Sequence, residues 1–415
     1  MYEFITNKLH SQTTPIDLIV VGLGFMGFGF ISYLKHIQGI RVSVLITRRV
    51  NDSARLLTQK GFKVKIVSGK NQINKYANKN FICISDNLNI INSYKNKIVL
   101  EMTGSIGYGC EVALRAINSG KDLVTMNVEL QATVGSKLLS IANKEGVLIT
   151  DTIGDQPGSL ARMIYESRLM GFEVLIAGNI KRYLDKHATN KKMAPWAKDK
   201  GLNVTQTTSF TDGTKQALEM SLVANYFQMG LMKNMAGPSV KEIKDTLNSF
   251  NLNNIPRKGI VDYIVGKNLF PGIFLVVKHK DKNQQKYLRY LSLGEGPYYV
   301  LFEPYHLCHL EILETILGVL FFKSVTINNS TRPKVQTIAI AKSNLPKNKI
   351  LSGIGGDDVY GQIALISKTG NYLPVGLAEN ARLKRDLKQD EPIKKIDIDV
   401  EDNAATRLFG LINPD

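Results

Sequence analysis

The first 155 residues alternate short apolar runs with stretches whose apolar residues recur at helical spacing. The apolar runs predict buried β-strands at residues 17–21, 41–46, 81–84, 98–101 and 122–125. Helices are predicted after the first two of these strands, at residues 27–37 and 51–60. Strands that alternate with helices are typical of a parallel sheet covered on both faces, so residues 1–155 predict an α/β, doubly wound domain.

The middle of the chain, residues 156–330, has a more mixed pattern. Amphipathic stretches predict helices at residues 160–170, 216–227 and 306–322. Apolar runs predict strands at residues 173–177 and 273–277. We therefore expect a central α+β domain.

The last part of the chain, residues 331–415, is rich in turn residues at short intervals, which is typical of a small β domain. Strands are predicted at residues 335–341, 353–356, 361–366 and 393–400. Thr331-Arg-Pro-Lys334 is the predicted linker before this domain. The chain thus predicts three domains, a number that suits its 415 residues.

The net charge of the chain bears on the kind of partner that it binds. The chain has 53 Lys and Arg against 36 Asp and Glu, a formal net charge of +17. Such an excess fits a nucleic-acid partner, an anionic membrane or small anionic ligands. The aromatic residues fall mostly in strand and helix patterns and no nucleic-acid-binding motif occurs, so we expect no nucleic-acid partner. A small anionic substrate is the expected partner.

Membrane and secretory signals are absent from the pattern. The most apolar run, Leu18 to Leu34, is shorter than the roughly 20 residues of a membrane span and contains four glycines. No basic segment and cleavage site flank it, so no signal peptide is predicted.

Cys83, Cys110 and Cys308 lie far apart and form no CxxC pair. We expect a reducing, cytoplasmic setting without contact to a membrane.

A glycine-rich turn follows the first predicted strand and opens the first predicted helix. Its sequence is Gly22-Leu-Gly24-Phe25-Met26-Gly27. In a dinucleotide-binding unit, the first glycine allows the tight turn, the second lets the backbone approach a pyrophosphate, and the third lets helix and strand pack closely. We therefore assign the segment from Gly22 to Gly27 to cofactor binding, against the alternative of a plain strand–helix turn.

The end of the second predicted strand indicates which dinucleotide binds. An NAD site usually places a carboxylate there, whereas this chain has Thr47-Arg48-Arg49. Two guanidinium groups suit the additional phosphate of NADP. NADPH is therefore the expected cofactor, and the alternative is that Arg48 and Arg49 are solvated loop residues.

Two further strand ends carry polar residues, at the edge where ligands of doubly wound sheets bind. Thr103 and Gly104 follow the strand at 98–101 and are assigned to the cofactor. Asn127 follows the strand at 122–125 and is assigned to hydrogen-bonding the nicotinamide or the substrate.

A lysine-rich segment follows the strand predicted at 173–177. Residues 178–201 hold seven Lys and Arg against two Asp, together with His187. Such a segment suits a phosphate or carboxylate ligand, and the alternative is a solvated surface. Lys181 lies nearest the strand end and is assigned a catalytic role, whereas Lys186 and His187 are assigned to substrate binding.

A second candidate group begins at Asp212, which we assign a catalytic role together with Lys215. Glu219 lies four residues after Lys215, so both lie on one helix face. A buried pair of this kind can tune a lysine for proton transfer to a developing alkoxide. A simple helix salt bridge is the alternative. Glu219 is assigned to substrate binding.

His306 and His309 begin the long helix predicted at 306–322. Two histidines three residues apart can bind a metal ion, but no carboxylate has the spacing of a metal ligand. We therefore expect no metal site and assign His306 to contact with the substrate or to helix capping.

Taken together, the motifs give the chain a resemblance to homoserine-dehydrogenase-like NAD(P)-dependent oxidoreductases with a C-terminal SAF domain, from about Pro15 to Leu411. The motifs that carry this resemblance, besides the glycine-rich turn, are Thr103-Gly104, Met126-Asn-Val-Glu129, Gly154-Asp-Gln-Pro-Gly158, Phe210-Thr-Asp-Gly-Thr-Lys215, Pro304-Tyr-His-Leu-Cys-His309, Ala341-Lys-Ser-Asn-Leu345 and Leu383-Lys-Arg-Asp386.

The resemblance implies a Rossmann domain at residues 1–155, a substrate-binding, catalytic and dimerisation domain at 156–330, and an SAF-like domain at 331–415. One branch that the chain resembles is the 1-deoxy-D-xylulose 5-phosphate reductoisomerase-like enzymes, which use NADPH and form 2-C-methyl-D-erythritol 4-phosphate for isoprenoid biosynthesis. That branch implies a phosphate site, acid–base groups and a divalent ion, Mg²⁺ or Mn²⁺. The chain shows no matching acidic cluster.

Other activities stay open. Relatives of this kind could act on another sugar phosphate, a sugar acid, or aspartate semialdehyde and homoserine. A cofactor-binding scaffold without catalysis and a nucleic-acid binder are the alternatives from other classes. A homodimer or higher homo-oligomer is expected from the resemblance alone.

Overall fold

The computed structural model describes residues 2–232 and 234–412 of the protein. Up to residue 151, strands and helices alternate as the hydrophobic pattern predicts. The strands are β1 Ile16–Val21, β2 Ile40–Ile46, β3 Val64–Ile66, β4 Ile82–Ser85, β5 Ile98–Glu101, β6 Asp122–Thr125 and β7 Ile149–Asp151. The helices are α1 Tyr2–His10, α2 Phe25–Leu34, α3 Val50–Gln59, α4 Lys70–Ala77, α5 Ile90–Ser93, α6 Ile106–Asn118 and α7 Val128–Glu145.

The remaining elements are mixed in the middle of the chain and short in its last part. The middle strands are β8 Glu173–Lys181, β9 Ile260–Val265, β10 Gly272–Lys278 and β11 Tyr298–Glu303. The middle helices are α8 Gln156–Leu169, α9 Asn190–Lys200, α10 Val204–Thr211, α11 Thr214–Phe227, α12 Lys282–Tyr290 and α13 Ile312–Phe322. The last elements are β12 Val335–Ala341, β13 Val359–Leu365, α14 Ile366–Thr369, β14 Arg382–Leu383, β15 Ile398–Asp399 and α15 Ala404–Phe409.

The chain divides into two compact units. The first contains the chain up to Leu130, then Lys137–Asp155 and Leu307–Asn328. The second contains Gln131–Ser136, Gln156–His306 and the chain from Asn329 onward. Residues 331–412 therefore pack in the same unit as residues 156–306, and residues 307–328 return to the first unit.

The first unit is built on a seven-stranded sheet in the order β3-β4-β2-β1-β5-β6-β7, and all its strand pairs are parallel. Strand β1 is fully buried from Leu18 to Val21, as expected for a strand covered on both faces. Strand β1 lies in the middle of the sheet, with β2 on one side and β5 on the other. The carboxyl ends of these three parallel strands therefore lie side by side. The predicted α/β, doubly wound fold is confirmed.

The core of the first unit includes residues from late in the chain. Ile312, Ile316 and Val319 of α13 are buried with Leu18 and Val20 of β1 in one apolar cluster. The helix predicted at 306–322 is wrong at its start. Cys308–Leu310 form a 3-10 helix instead, and α13 begins at Ile312. The left-handed backbone of Cys308 (φ 43°) prevents one continuous helix.

The second unit is built on a mixed sheet in the order β11-β10-β8-β9. Strand β8 is parallel to β9 and antiparallel to β10. Ile176 and Ile180 of β8 lie in an apolar cluster on one face. Because side chains alternate along a strand, Asn179 and Lys181 point to the other face, which α8 and α11 cover.

The last part of the chain contains two small antiparallel sheets, β12-β13 and β14-β15. The strand predicted at 353–356 is wrong, because Gly353 and Gly355 adopt left-handed backbone angles (φ 73° and 71°) that end a strand. The strand predicted at 393–400 shortens to β15, because Asp397 accepts a hydrogen bond from Lys394 N and forms a 3-10 turn over Lys395–Asp397. None of the helices in the described ranges has the length and apolar character needed to span a bilayer.

Candidate active site

The glycine-rich turn lies in the first unit, between β1 and α2. Gly22 has a φ of +103°, and a Cβ there would lie 2.7 Å from Met102 O. A Cβ at Gly27 would lie 2.6 Å from Gly22 O, so the third glycine lets α2 approach the turn. A Cβ at Gly24 would meet no protein atom within 4 Å. The first and third glycines are required by the protein itself, whereas the space over Gly24 is open.

Helix α2 begins directly over this turn. Gly24 is its N-cap residue, and no side chain caps its first N–H groups. Phe25 is exposed and Met26 is partly exposed at its first turn. Uncapped N–H groups at a helix N-terminus, beside open space over a glycine, fit the pyrophosphate of a dinucleotide. Gly22 to Gly27 would hold that group.

The end of β2 carries Thr47, Arg48 and Arg49. Thr47 is buried, and its Oγ1 accepts a hydrogen bond from Arg49 N (3.3 Å), which fixes the turn into α3. Arg48 and Arg49 are exposed, and in the part of the chain that the structure describes neither guanidinium forms an ion pair. The Arg48 guanidinium lies 5.3 Å from the ring centre of Tyr108. Both cations are therefore available to an anion.

A buried hydrogen-bond network lies at the carboxyl ends of β5 and β6. Glu101 is fully buried and accepts hydrogen bonds from Thr103 N (2.8 Å), from the Thr103 hydroxyl, and from Thr125 Oγ1 (2.7 Å). Asn127 Nδ2 donates to Glu101 Oε1 (3.3 Å) and to Ser105 O (3.2 Å). Burial raises the pKa of Glu101, and these hydrogen bonds oppose that shift. Glu101 thus holds Thr103, which precedes Gly104, at the strand end.

The structure shows what engages Asn127. Its Oδ1 accepts a hydrogen bond from Leu130 N (3.0 Å), so Asn127 caps α7. With Nδ2 donating to Glu101 and Ser105, and with no exposed surface, its amide is committed to the protein. Contact between Asn127 and a ligand stays a prediction.

In the second unit, Lys181 lies at the end of β8 in a polar cluster. Its Nζ is 3.3 Å from Gln156 Oε1 and 3.8 Å from Glu219 Oε2, and its side chain is 15% exposed. Asn179 Nδ2 donates to the same Glu219 oxygen at 2.7 Å. The structure therefore brings Lys181 and Glu219 together, two residues that the sequence assigned to the site. A partly exposed ammonium beside a buried carboxylate can donate a proton to a substrate oxygen.

Lys215 and Asp212 lie where α10 ends and α11 begins. Lys215 is the second residue of α11 and is partly exposed. Asp212 is the C-cap of α10, and its Oδ1 accepts a hydrogen bond from Thr214 N (2.8 Å). Its Oδ2 lies 2.8 Å from Lys342 Nζ, and the Asp212 side chain is 0% exposed. Burial raises the pKa of Asp212, and the Lys342 ammonium opposes the shift.

Lys186 and His187 follow β8 in a loop and face Asp390. Lys186 Nζ lies 3.0 Å and His187 Nε2 2.9 Å from the Asp390 carboxylate, which also accepts a hydrogen bond from the Tyr360 hydroxyl (2.9 Å). These contacts, that with His187 first, lower the pKa of Asp390 to about 2. An anionic substrate at Lys186 and His187 would have to compete with this carboxylate.

Two other lysines of the lysine-rich segment form local pairs on the surface. Lys192 pairs with Asp185, and Lys200 with Asp199 at 3.1 Å. Both lysine side chains are more than half exposed. This part of α9 is therefore a solvated face, as the alternative interpretation of the segment expects.

The two histidines near residue 307 differ in their surroundings. His306 is partly exposed. His309 packs on α2, because a Cβ at Gly29 would lie 2.8 Å from the His309 ring. Burial lowers the pKa of His309.

The residues present do not fit a divalent ion. Over residues 2–232 and 234–412, no three His, Cys, Asp or Glu side chains gather as ligands would. We therefore derive no step through a metal.

Four residues of these networks received no assigned role from the sequence: Gln156, Asn179, Glu101 and Lys342. Asn179 has a signal in the sequence, because it lies two residues before Lys181 on the same strand and therefore shares its face. Gln156 lies in the quoted motif Gly154 to Gly158, but the pattern gives it no partner. Lys342 contacts Ala188, 154 positions away in sequence, so no local pattern could reveal it.

Two family models match the chain. The model described as the NAD binding domain of homoserine dehydrogenase matches residues 22–150. The model described as the catalytic domain of oxidoreductase DRL matches residues 154–312, which include Lys181, Lys215 and Glu219. No curated protein matches the chain.

Several solved structures resemble the chain at low identity. A homoserine dehydrogenase from Thiobacillus denitrificans is 13% identical with a TM-score of 0.44, and the match covers 92% of this chain and 98% of that one. The putative oxidoreductase yvaA from Bacillus subtilis is 14% identical (TM-score 0.42; 77% and 92% covered). A DOX-P reductoisomerase in complex with magnesium is 13% identical (TM-score 0.37; 74% and 79% covered). Structures this distant give no information about the substrate of this protein.

The conclusion therefore follows from the two matched domains and from the glycine-rich turn. The chain is an NAD(P)-dependent oxidoreductase, with a nicotinamide-cofactor domain of the homoserine dehydrogenase type followed by an oxidoreductase catalytic domain.

Proposed function

We propose that the protein is an NADPH-dependent reductase of a small, phosphorylated, sugar-like carbonyl compound. The observation that carries the proposal is the partly exposed Lys181 ammonium beside Gln156 and the buried Glu219 carboxylate. The first substrate to test is 1-deoxy-D-xylulose 5-phosphate, with 2-C-methyl-D-erythritol 4-phosphate as product. The resemblance of the sequence motifs supports that choice.

The preference for NADPH over NADH rests on the end of β2. Residues 47–49 contain no carboxylate to bind a ribose diol, and the nearby Asp52 pairs with Arg55 at 2.8 Å. Arg48 and Arg49 supply two cations that a 2′-phosphate would engage. NADH lacks this phosphate, so Arg48 and Arg49 add nothing to its affinity.

The bound cofactor supplies the hydride for the reduction. Lys181 hydrogen-bonds the carbonyl oxygen and gives it a proton as the alkoxide forms, so the alcohol product gains one hydride and one proton. With 1-deoxy-D-xylulose 5-phosphate, the carbonyl reduced in this way is the aldehyde that a rearrangement of the carbon skeleton first forms. Glu219 holds the ammonium of Lys181 in place through its 3.8 Å contact, and Asn179 fixes the same carboxylate oxygen. Lys215 is the second lysine that we assign to the reaction.

Anion recognition is proposed for Lys186, His187 and His306, three of the five residues that the sequence assigned to the substrate. The partly exposed side chain of His187 and the exposed ammonium of Lys186 support this, although both contact Asp390. We also keep as proposals an SAF-like region at 331–415, a cytoplasmic location and a homo-oligomer.

The cofactor is tested by thermal unfolding with and without dinucleotide. We expect NADPH to raise the melting temperature and NADH to raise it much less, because ligands that bind the folded state stabilise it by mass action. The variant R48A/R49A should lose about ten- to a hundredfold in NADPH affinity and keep its NADH affinity. R55A, in an exposed pair on α3, is the matched control. Equal stabilisation by both dinucleotides contradicts the NADPH preference.

The substrate is tested by following NADPH oxidation with 1-deoxy-D-xylulose 5-phosphate, with and without magnesium. Turnover supports the reductoisomerase form of the proposal. Absence of turnover, with NADPH binding intact, rules that form out and directs the assay to other sugar phosphates, sugar acids and aspartate semialdehyde. Failure with every carbonyl substrate favours a cofactor-binding scaffold.

A further inference from the structure

Lys342 is a buried lysine that follows β12, in the last part of the chain. Its side chain is 2% exposed. The ammonium lies 2.8 Å from Asp212 Oδ2 and donates hydrogen bonds to Ala188 O (2.8 Å) and Gly356 O (2.6 Å). A buried ammonium is strongly disfavoured unless its charge and its three N–H groups are satisfied. Here one carboxylate and two carbonyls satisfy them.

Two of these three partners belong to the segments that carry the assigned lysines. Ala188 lies at the end of the loop 182–189, which follows Lys181. Asp212 accepts the N–H of Thr214, the first residue of α11, and Lys215 comes next. The loop and α10 are also joined directly, because Asp185 N donates to Thr211 O at 2.8 Å. The Lys342 ammonium therefore connects the loop that follows Lys181 with the residue that caps α10 just before α11.

Other contacts from the last part of the chain reach the same two segments and Asn190, the first residue after the loop. Gly361 N donates to Thr214 Oγ1 (2.8 Å), and Asp357 Oδ1 accepts from the backbone N–H of Asn190 (2.6 Å). The contacts of Asp390 with Lys186 and His187 hold the middle of the loop. Lys342 differs from these in carrying a buried charge and in contacting both segments.

We propose that Lys342 is a positioning residue of the active site, whose ammonium fixes the loop 182–189 and the start of α11 and thereby places Lys181 and Lys215. The inference rests on the proposed function for the role of those two lysines. It gives Asp212 the role of counter-charge and cap, because one of its oxygens accepts from Thr214 N and the other faces Lys342.

The test compares two charge-balanced double variants. D212N/K342M removes the buried ammonium without leaving an unpaired carboxylate, and the Asn oxygen still accepts from Thr214 N. K384M/D399N removes an exposed pair in the same part of the chain (2.8 Å) and is the matched control. Each protein is measured by amide hydrogen exchange, by stabilisation with NADPH, and by kcat, KM and the pH profile of kcat.

We expect D212N/K342M to exchange amides at 182–190 and 212–218 at least about tenfold faster, because local opening becomes easier. Its kcat should fall about ten- to a hundredfold, since small misplacements of reacting groups cost rates of that order. Stabilisation by NADPH and the shape of the pH profile should stay as in the wild type. The control variant should change none of these.

Exchange rates within about twofold of the wild type at both segments overturn the inference. Loss of one limb of the pH profile overturns it too, because that result makes Asp212 a proton-transfer group. Faster exchange with unchanged turnover means that Lys342 holds the two segments in place but that Lys181 and Lys215 do not take part in the reaction. That result overturns the positioning role. Faster exchange in a protein whose wild type turns over no substrate supports the tie by Lys342 and overturns the proposed function. If D212N/K342M does not fold, D212N/K342Q, which keeps a hydrogen-bond donor at 342, is subjected to the same criteria.

Discussion

Glu101 and Thr125 end adjacent parallel strands and are joined by a 2.7 Å hydrogen bond from the threonine hydroxyl to the buried carboxylate. The other carboxylate oxygen accepts from Thr103 and Asn127. One buried side chain thus organises the polar groups at the carboxyl ends of β5 and β6, where ligands of doubly wound sheets bind. Because it anchors Thr103, two residues later in the chain, we expect Glu101 to influence cofactor binding.

We expect Glu101→Leu to destabilise the protein by about 1–3 kcal/mol for each buried donor that loses its acceptor. NADPH affinity should fall as well, because Thr103 loses its anchor. Glu101→Gln is the matched control: its oxygen can still accept from Thr103 N, and the Thr125 hydroxyl can reverse to accept from the new amide. Denaturant unfolding and NADPH titration check both effects. A Glu101→Leu variant with the stability and affinity of the wild type contradicts the role of this network.

Gly24 and Gly27 should respond differently to an added methyl group. Gly24→Ala meets no protein atom within 4 Å and keeps an ordinary backbone angle (φ −85°), so stability without cofactor should hold. Its NADPH affinity should fall at least about tenfold, because the methyl group occupies the space of the pyrophosphate. Gly27→Ala should lose about 1–3 kcal/mol of stability, because its Cβ would press on Gly22 O. Wild-type NADPH affinity in Gly24→Ala would place the pyrophosphate elsewhere.

Lys181→Met should lower kcat by about 10²–10⁴, the usual contribution of a positioned proton donor. Lys191→Met, which replaces an exposed lysine of α9, should leave turnover unchanged. The measurement is steady-state NADPH oxidation with the substrate proposed above, and Lys215→Met tests the second assigned lysine in the same way. Undiminished turnover in both Lys181→Met and Lys215→Met shows that the proton comes from another group.

Asp390 should make stability depend on acid pH. Its contacts, led by His187, lower its pKa from 3.8 to about 2, so the ionised carboxylate stabilises the fold above about pH 4. That stabilisation decreases as the pH falls below about 4 and is lost through a pKa of about 2.

The comparison is therefore between the wild type and Asp390→Asn, by urea unfolding from pH 7 to pH 2. We expect the wild type to be more stable by a constant amount at neutral pH and the two curves to converge in acid. D399N, in an exposed pair, serves as the control. A difference that persists unchanged at pH 2 means that the Asp390 charge is not its source.

The sequence predicted the architecture of the first unit and part of the site because the relevant signals are local. The short apolar runs predict β1, β2, β4, β5 and β6 within a few residues but miss β3 and β7, and the glycine spacing marks the turn before α2. Lys181 and Glu219 could be proposed from their positions at a strand end and on a helix face. Their meeting in one cluster depends on how α11 packs on β8, and no pattern in the chain specifies that.

The errors also have physical causes. Residues 353–356 are Gly-Ile-Gly-Gly, and two glycines with left-handed backbone angles turn the chain where a strand was predicted. The catalytic role assigned to Asp212 from its proximity to Lys215 stays a prediction, but the sequence did not reveal its partner. Its engagement by Lys342 depends on a contact across 130 positions of sequence, which local reasoning cannot anticipate.

The return of α13 to the first unit has a consequence for synthesis of the chain. Ile312, Ile316 and Val319 complete the apolar cluster around β1, and Ile327 O accepts a hydrogen bond from Asp151 N (2.8 Å) beside the last strand of the sheet. Because a polypeptide emerges from the ribosome N-terminus first, this core stays open until residues 312–328 have left the exit tunnel. The nascent dinucleotide domain therefore exposes apolar surface from the synthesis of β7 until α13 has emerged.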